Sequence, residues 1–224
     1  MEKIIEQMAH LQHALNSKIH PEWYKQGNDW DTAIMVESAE LSDSLQWKWW
    51  KNMDDDWSNV EVELVDLFHF ILSKMIEKNK MNIVNKVITR ALTTFQLSKP
   101  IDDNDMKREL VLMFNKSLVQ ATLEDKMHDA IMYWYKMWLT IGKTKEDILK
   151  QYFVKNILNT FRQDNGYKDG SYIKEWVGKD GRKYEDNVIA FYIADDLKLD
   201  DTFPDEFAKA LDEVYADTKI HHLN

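Results

Sequence analysis

Residues 35–41 read M-V-E-S-A-E-L, which places two carboxylates, Glu37 and Glu40, among apolar neighbours in a helix-like stretch. Residues three apart share one face of a helix, with Cβ atoms about 5–6 Å apart, so both carboxylates point in one direction. A single pair of this kind most often belongs to a solvated helix face. Its meaning therefore depends on the rest of the chain.

A second stretch, V-E-L-V-D-L at residues 62–67, repeats this spacing with Glu63 and Asp66. The surrounding helix is apolar on nearly every side, so a solvated face there would be narrow. If the two helices pack antiparallel, four carboxylates converge, and such like charges repel one another unless cations bind between them. Carboxylate oxygens with room for water suit Mg²⁺, whose coordination is completed by water and substrate phosphates. The two pairs therefore predict a magnesium site.

The antiparallel arrangement sets a condition on where the first helix ends. Glu40 lies about 12 residues before the predicted turn and Glu63 about 5 residues after it, so at ~1.5 Å per residue their levels differ by roughly 10 Å. The first helix must therefore end early, or residues 48–57 must run back along it.

The composition favours long helices and limits the function classes. Only 6 glycines and 3 prolines occur in 224 residues, which disfavours a turn-rich β architecture, and no cysteine is present for disulfides or thiolate chemistry. The formal net charge of −10 disfavours binding to a nucleic-acid polymer. We expect a cytoplasmic protein with neither a secretory signal nor a membrane-spanning helix.

Hydrophobic periodicity predicts an all-α fold that forms a single domain over residues 1–224. Ser58 and Glu61 form a capping-box pattern, Gly142 is a helix stop, and T-K-E-D at 144–147 is a cap. Residues 164–187 hold four of the six glycines and are predicted to form a long ordered loop. The predicted helices cover residues 1–19, 31–50, 58–78, 81–97, 105–123, 125–140, 144–161, 186–197 and 204–216.

A basic segment complements the acidic pairs. Lys155, Asn159 and Arg162 fall on one helical stripe, and Lys168 follows on the glycine-rich loop. Residues 155–183 contain seven Lys or Arg against four Asp or Glu. Arg grips phosphate in a bidentate manner and Lys acts as a point charge. An acidic metal site with a basic glycine-rich loop is typical of a site for a metal-bound polyphosphate.

These motifs together resemble a known family. V-E-S-A-E-L, W-K-W-W-K, E-V-E-L-V-D-L-F-H-F-I-L-S, K-N-x-L-N-x-F-R-Q-D-N-G-Y-K-D-G-S-Y and E-D-N closely resemble the dimeric dUTPases. That family belongs to the all-α NTP pyrophosphohydrolase superfamily, with the MazG-like proteins and the phage dCTPase/dUTPase. With L-Q-H-A-L-N near the start, the resemblance covers about 10–80 and 150–190. The region 81–148 matches only in helical character.

The resemblance implies a role for each matching residue. Two or more Mg²⁺ ions would be held by four carboxylates, Glu37, Glu40, Glu63 and Asp66. Glu40 would also activate the attacking water. The phosphate chain would contact Lys155, Arg162, Tyr167 and Lys168. The nucleoside would contact Gln12, Asn16, Trp30, Trp47, Phe70 and Asn159, with His69 as a further candidate.

The resemblance also implies a reaction and an assembly. Water would attack the α-phosphate of dUTP, giving dUMP and pyrophosphate, and dUDP would also be a substrate. The enzyme would be a homodimer with a core at about 1–80 and 144–197. A more mobile helical portion would occupy about 81–143, and the loop at 164–187 would close over the nucleotide.

Other functions are compatible with the same residues. A dCTP or broader dNTP pyrophosphohydrolase would differ only where the base is contacted. A non-enzymatic helical interaction protein would carry the acidic pairs as surface features, and a metal-binding bundle would act on a non-nucleotide substrate. A di-iron centre needs E-x-x-H, and His69 follows Asp66, not Glu63, by three residues.

Overall fold

Helices make up most of the protein. The computed structural model describes residues 2–84, 86–87, 101–200 and 202–223. The helices are α1 Glu2–Ile19, α2 Trp30–Asp43, α3 Trp57–Glu77, α4 Asn104–Leu123, α5 Met127–Thr140, α6 Lys145–Asp164, α7 Asp186–Asp195 and α8 Phe203–Leu223. Two short strands, β1 Glu175–Val177 and β2 Lys183–Glu185, pair antiparallel. The prediction of an all-α fold is confirmed.

One predicted helix is described only in part. Residues 81–84 and 86–87 are helical, whereas the rest of the helix predicted at 81–97 lies outside the described residues. Elsewhere, Gly142 ends α5 as predicted, with φ +80° and its N–H bonded to the carbonyl of Leu139. Thr144 and Asp147 form the predicted cap of α6, since the hydroxyl of Thr144 accepts from the N–H of Asp147 at 3.2 Å.

Helix α2 ends at Asp43, and the prediction of a helix over 31–50 is wrong after that residue. Ser42 in the last turn and Ser44 just after it donate side-chain hydrogen bonds to carbonyls four residues earlier, those of Ser38 and Glu40, each at 3.0 Å. Side chains that compete for backbone groups in this way favour a helix end. The early end meets the first of the two conditions that the antiparallel arrangement required.

The capping residue of α3 lies two residues before the predicted one. Asp56 is the capping residue, because its carboxylate accepts from the N–H of Asn59 at 3.0 Å. Ser58 donates its hydroxyl to the same carboxylate. The prediction of Ser58 as the cap is therefore wrong, since an aspartate in reach of the first turn takes the role instead.

Helices α2 and α3 pack antiparallel. At one end the indole N–H of Trp30 donates to Glu77 at 2.7 Å, and at the other the amide of Asn59 donates to the hydroxyl of Ser44 at 2.8 Å. This register sets the middle of α2, which carries Glu37, against the first half of α3.

Helices α4 and α5 complete a four-helix bundle with α2 and α3. The buried amide of Asn115 on α4 donates to the carbonyl of Ser38 at 2.7 Å and accepts from its hydroxyl at 2.6 Å. Trp134 on α5 stacks on Phe68, with ring centroids 4.1 Å apart, and donates to the carbonyl of Leu64 at 2.7 Å. Large apolar side chains from all four helices fill this interior, so their apolar faces account for the fold.

The chain divides into two compact units. The first contains residues 1–13 and 22–148, which include the bundle, and the second contains residues 14–21 and 149–224. The prediction of a single domain stays a prediction.

The second unit contains the β-hairpin, which the sequence patterns did not predict. Residues 164–187 were predicted as a loop, yet Trp176 faces Tyr184 across β1 and β2. The backbone N–H of Val177 donates to the hydroxyl of Thr218 on α8 at 3.1 Å. Trp176 is fully buried against the rings of Phe161 and Tyr215. Strands of three residues leave too short an alternation to be recognised, and burial of one tryptophan stabilises them.

Gly166 ends α6 in the left-handed region, with φ +90°. A Cβ there would lie 2.0 Å from the hydroxyl oxygen of Ser171, so the turn is both left-handed and tightly closed. The prediction of one long loop over 164–187 is wrong where β1 and β2 form, and a tight turn precedes them. Among the described residues, no helix combines the length and apolarity needed to cross a membrane.

Candidate functional site

Three of the four predicted metal ligands come together. Glu37 on α2 and Glu63 and Asp66 on α3 each place a carboxylate oxygen within 4.8 Å of the others. Glu63 is buried, and the other two are half-buried. The antiparallel register explains the grouping, because it sets the middle of α2 against the second and third turns of α3.

The electrostatics of this acidic group favour a bound cation. Burial raises the pKa of Glu37 to about 8, and the charge of Asp66, a hydrogen bond with Glu63 and the charges of Glu63 and Glu40 add to the effect. A hydrogen bond between two carboxyl groups needs a shared proton, which reduces their repulsion. A divalent cation bound to the same oxygens reduces it further, so the donor set fits a hard metal ion such as Mg²⁺.

Glu40 lies outside this group of three. Its side chain is exposed on α2, one turn after Glu37, and its charge contributes least to the raised pKa of Glu37. Glu40 is therefore near the acidic group and accessible to solvent.

In the second unit, Arg162 is held by a buried carboxylate. Its guanidinium donates to both oxygens of Asp186, at 2.7 and 2.8 Å, and Asp186 is fully buried. The same guanidinium donates to Asn159 at 2.9 Å and Asn187 at 3.1 Å. Lys155 donates to Asn187 at 3.0 Å. Three predicted site residues, Lys155, Asn159 and Arg162, thus belong to one hydrogen-bonded cluster, which we call the arginine cluster, with Asp186 and Asn187.

The loop after α6 adds two of the predicted phosphate-binding residues. Tyr167 is partly exposed, and the guanidinium of Arg162 lies 5.8 Å from the centre of its ring. Lys168 is exposed and donates to the carbonyl of Ile19 at 2.9 Å.

The predicted nucleoside-binding residues lie in different environments. Gln12 and Asn16 are buried polar side chains of α1. Trp30 and Phe70 contact each other, with ring centroids 6.2 Å apart, whereas Trp47 is exposed and contacts Trp50 edge-on. Of the predicted nucleoside-binding residues, Trp30 and Phe70 thus contact each other, whereas Asn159 contacts the predicted phosphate-binding residue Arg162. His69 is buried, and its Nδ1 is 2.9 Å from the carbonyl of Val65.

A comparison with known protein families identifies the family of this chain. A sequence model described as dUTPase matches residues 4–167, which run from the first turn of α1 to the turn after α6. The chain belongs to the dUTPase family. It is an enzyme, a dUTP diphosphatase that hydrolyses dUTP. A search of curated proteins found no match to the chain.

The dUTPase match includes the helices at 104–140, for which the resemblance implied only helical character. It also includes both acidic pairs and the first part of the basic segment. The hairpin, α7 and α8 lie beyond it.

Sequence reasoning assigned no role in this dUTPase-family protein to Asp186 or Asn187, although both contact Arg162. The E-D-N motif at 185–187 was part of the resemblance and was the available signal. A carboxylate next to a helix start also has an ordinary explanation, namely capping. The structure differs from that explanation: Glu185 occupies the capping position, and Asp186 is the first residue of α7, with its carboxylate accepting from the adjacent N–H of Asn187 at 2.8 Å. Only the fold shows that the same carboxylate holds an arginine 24 residues away.

Proposed function

We propose that hydrolysis of dUTP by this protein depends on Mg²⁺ and yields dUMP and pyrophosphate. The observation that carries the proposal is the grouping of Glu37, Glu63 and Asp66 within 4.8 Å. Two or more Mg²⁺ ions are assigned to these carboxylates together with Glu40. The raised pKa of Glu37 supports the assignment, because the neighbouring carboxylates that favour a bound proton also favour a bound metal cation.

The proposed reaction is a displacement at the α-phosphorus by water. Mg²⁺ held by these carboxylates would lower the pKa of a coordinated water and would neutralise phosphate charge. Glu40 accepts the proton of the attacking water, a role that its exposure and its place beside the acidic group support. A bond forms from the water oxygen to the α-phosphorus, and the bond to the bridging oxygen of the β-phosphate breaks. The pyrophosphate carries away the electron pair of that bond.

We assign contacts with the phosphate chain to Lys155, Arg162, Tyr167 and Lys168. The bidentate pair with Asp186 fixes the guanidinium plane of Arg162, which reduces the entropy lost when it binds an anion. Attack at the α-phosphate does not require a γ-phosphate, so dUDP is a proposed second substrate, with phosphate as the leaving group. The nucleoside contacts are assigned to Gln12, Asn16, Trp30, Trp47, Phe70 and Asn159. We also propose a homodimer that works in the cytoplasm.

Nucleotide hydrolysis with and without metal tests this function. Pyrophosphate release from dUTP, dCTP, dTTP and UTP is measured in EDTA and after addition of Mg²⁺, and phosphate release is measured from dUDP. We expect hydrolysis of dUTP only with Mg²⁺. Hydrolysis in EDTA would overturn the metal requirement, and a preference for dCTP would identify the broader pyrophosphohydrolase instead.

A matched pair of variants separates the site from its surroundings. Glu63→Gln removes one ligand charge of the acidic group. Glu61→Gln removes a carboxylate two residues earlier on the same helix, where Lys143 pairs with it at 2.7 Å. We expect Mg²⁺-dependent hydrolysis to be lost in the first variant and retained in the second. Equal activity of the two variants would contradict the assignment of Glu63.

A further inference from the structure

A chain of hydrogen bonds joins the two helices that carry the acidic residues. The amide group of Asn59, on the first turn of α3, donates to the hydroxyl oxygen of Ser44 at 2.8 Å and to Oε1 of Glu63 at 3.1 Å. The hydroxyl of Ser44 in turn donates to the backbone carbonyl of Glu40 at 3.0 Å. Two side chains, those of Asn59 and Ser44, therefore connect Glu63 with the backbone carbonyl of Glu40.

We propose that Ser44 and Asn59, here called the clasp, are positioning residues that hold Glu63 and the last turn of α2 in the geometry needed for divalent-cation binding. The inference rests on the proposed metal site. Each residue acts through the group that it holds, Asn59 through the carboxylate of Glu63 and Ser44 through the backbone carbonyl of Glu40. Ligand carboxylates in metal sites are typically oriented by hydrogen bonds of this kind.

The direction of each hydrogen bond supports a specific geometry. Ser44 uses its single proton on the carbonyl of Glu40, so its oxygen is left to accept from Asn59. Asn59 donates its two amide protons to two acceptors, the hydroxyl of Ser44 just after α2 and the carboxylate of Glu63 on α3. The hydrogen bond between Asn59 and Ser44 forms only when the start of α3 lies beside the end of α2. The clasp therefore favours the antiparallel arrangement of the two helices.

The backbone reinforces the clasp at the same place. The N–H of Asp56 donates to the carbonyl of Ser44 at 2.8 Å, and the carboxylate of Asp56 accepts from the N–H of Asn59 at 3.0 Å. Ser44 and Glu63 are both buried, so their hydrogen bonds are protected from competition by water. The early end of α2 thus has a consequence for the site, because it brings Ser44 within reach of Asn59.

Metal binding to the nucleotide-free protein tests the clasp directly. Mg²⁺ is titrated calorimetrically into wild type, Asn59→Ala, Ser44→Ala and the double variant, and thermal unfolding is recorded for each. We expect Asn59→Ala to weaken Mg²⁺ binding by about 10–100-fold. The KM for dUTP at saturating Mg²⁺ should change less than the half-saturating Mg²⁺ concentration. The double variant should bind Mg²⁺ about as weakly as Asn59→Ala, because both substitutions interrupt one chain of hydrogen bonds.

Two controls distinguish positioning from a loss of stability. Ser58→Ala removes a neighbouring exposed hydroxyl that bonds to Asp56, and it should leave Mg²⁺ binding unchanged. Asn115→Ala removes a buried amide that bonds to Ser38 and Ser42 and contacts no carboxylate of the acidic group. It should lower the unfolding temperature while a folded sample keeps its Mg²⁺ affinity.

The outcomes separate this inference from the proposed function. Wild type that binds no Mg²⁺ and hydrolyses dUTP without it would overturn both. Wild type that binds Mg²⁺, with Asn59→Ala binding it equally well, would overturn the clasp and leave the metal site intact. If Asn59→Ala does not fold, Ser44→Ala supplies the same test, since it removes the hydroxyl between Asn59 and Glu40.

Discussion

The acidic group brings like charges together, whereas the arginine cluster pairs opposite charges. In the acidic group, like charges lie within 4.8 Å, and the pKa of Glu37 is raised to about 8. In the arginine cluster, Arg162 faces the buried carboxylate of Asp186 at 2.7 and 2.8 Å. Added positive charge stabilises the acidic group. The pair of Arg162 and Asp186 has no net charge, and removal of either charge destabilises the folded protein. A group of like charges therefore favours the binding of a cation, whereas a buried pair of opposite charges stabilises the fold.

The largest expected effect is on catalysis. Glu40→Gln removes the proposed proton acceptor from an exposed position, so kcat should fall about 10²–10⁴-fold while thermal unfolding stays the same. Steady-state hydrolysis of dUTP at saturating Mg²⁺ measures the change. Asp43→Asn, one turn further along α2 and also exposed, is the control and should keep wild-type kcat. Full activity of Glu40→Gln would show that another group accepts the proton.

The next effect is on stability in the arginine cluster. Asp186→Asn leaves the buried guanidinium of Arg162 without its counter-charge, so the free energy of unfolding should fall by about 3–5 kcal/mol. Urea unfolding followed by circular dichroism gives the value. Asp195→Asn, at an exposed position of the same helix, should change it by less than about 0.5 kcal/mol. Equal effects of the two substitutions would mean that the ion pair with Arg162 contributes nothing to the free energy of unfolding.

A smaller loss should follow from Tyr172→Phe. The hydroxyl of Tyr172 donates to Asp186 at 2.8 Å, and the ring stacks on Tyr215 with centroids 5.2 Å apart. Phenylalanine keeps the stacking and removes one hydrogen bond to a charged acceptor, which costs about 1.5–3 kcal/mol. The same urea experiment measures it. In the background of Asp186→Asn the cost should shrink, because the acceptor is then uncharged, and an unchanged cost would argue against this coupling.

The smallest effect is a pH dependence in the acidic group without metal. Below the ordinary glutamate pKa of 4.5, Glu37 is protonated in both the folded and the unfolded protein. Between 4.5 and about 8 the folded protein keeps a proton that the unfolded chain has lost, so the free energy of unfolding falls as the pH rises through this window. Partial exposure of Glu37 screens the effect.

Unfolding of metal-free protein at a series of pH values between 4.5 and 8 measures this dependence. Glu37→Gln should flatten it, because glutamine cannot lose a proton, and saturating Mg²⁺ should weaken it by replacing the proton. An identical slope in wild type and Glu37→Gln would assign the pH dependence to other groups.

Features encoded by near neighbours were predictable. The spacing of three within each acidic pair, the cap formed by Thr144 and Asp147, and the stop at Gly142 depend only on residues within one turn. The helical class followed from periodicity and from the small number of glycines and prolines. The prediction of Ser58 as the cap is wrong because Asp56 competes for the same backbone N–H groups, and a local pattern does not rank the two residues.

The order of residues along the chain supplies carboxylates for a metal and basic groups for a phosphate chain, and it puts each acidic pair on one helix face. Packing brings Glu37, Glu63 and Asp66 into one group and leaves Glu40 beside it. Packing also pairs Arg162 with Asp186. These contacts join elements that are distant in the chain, so they depend on burial and on the register of neighbouring helices, which local spacing does not specify.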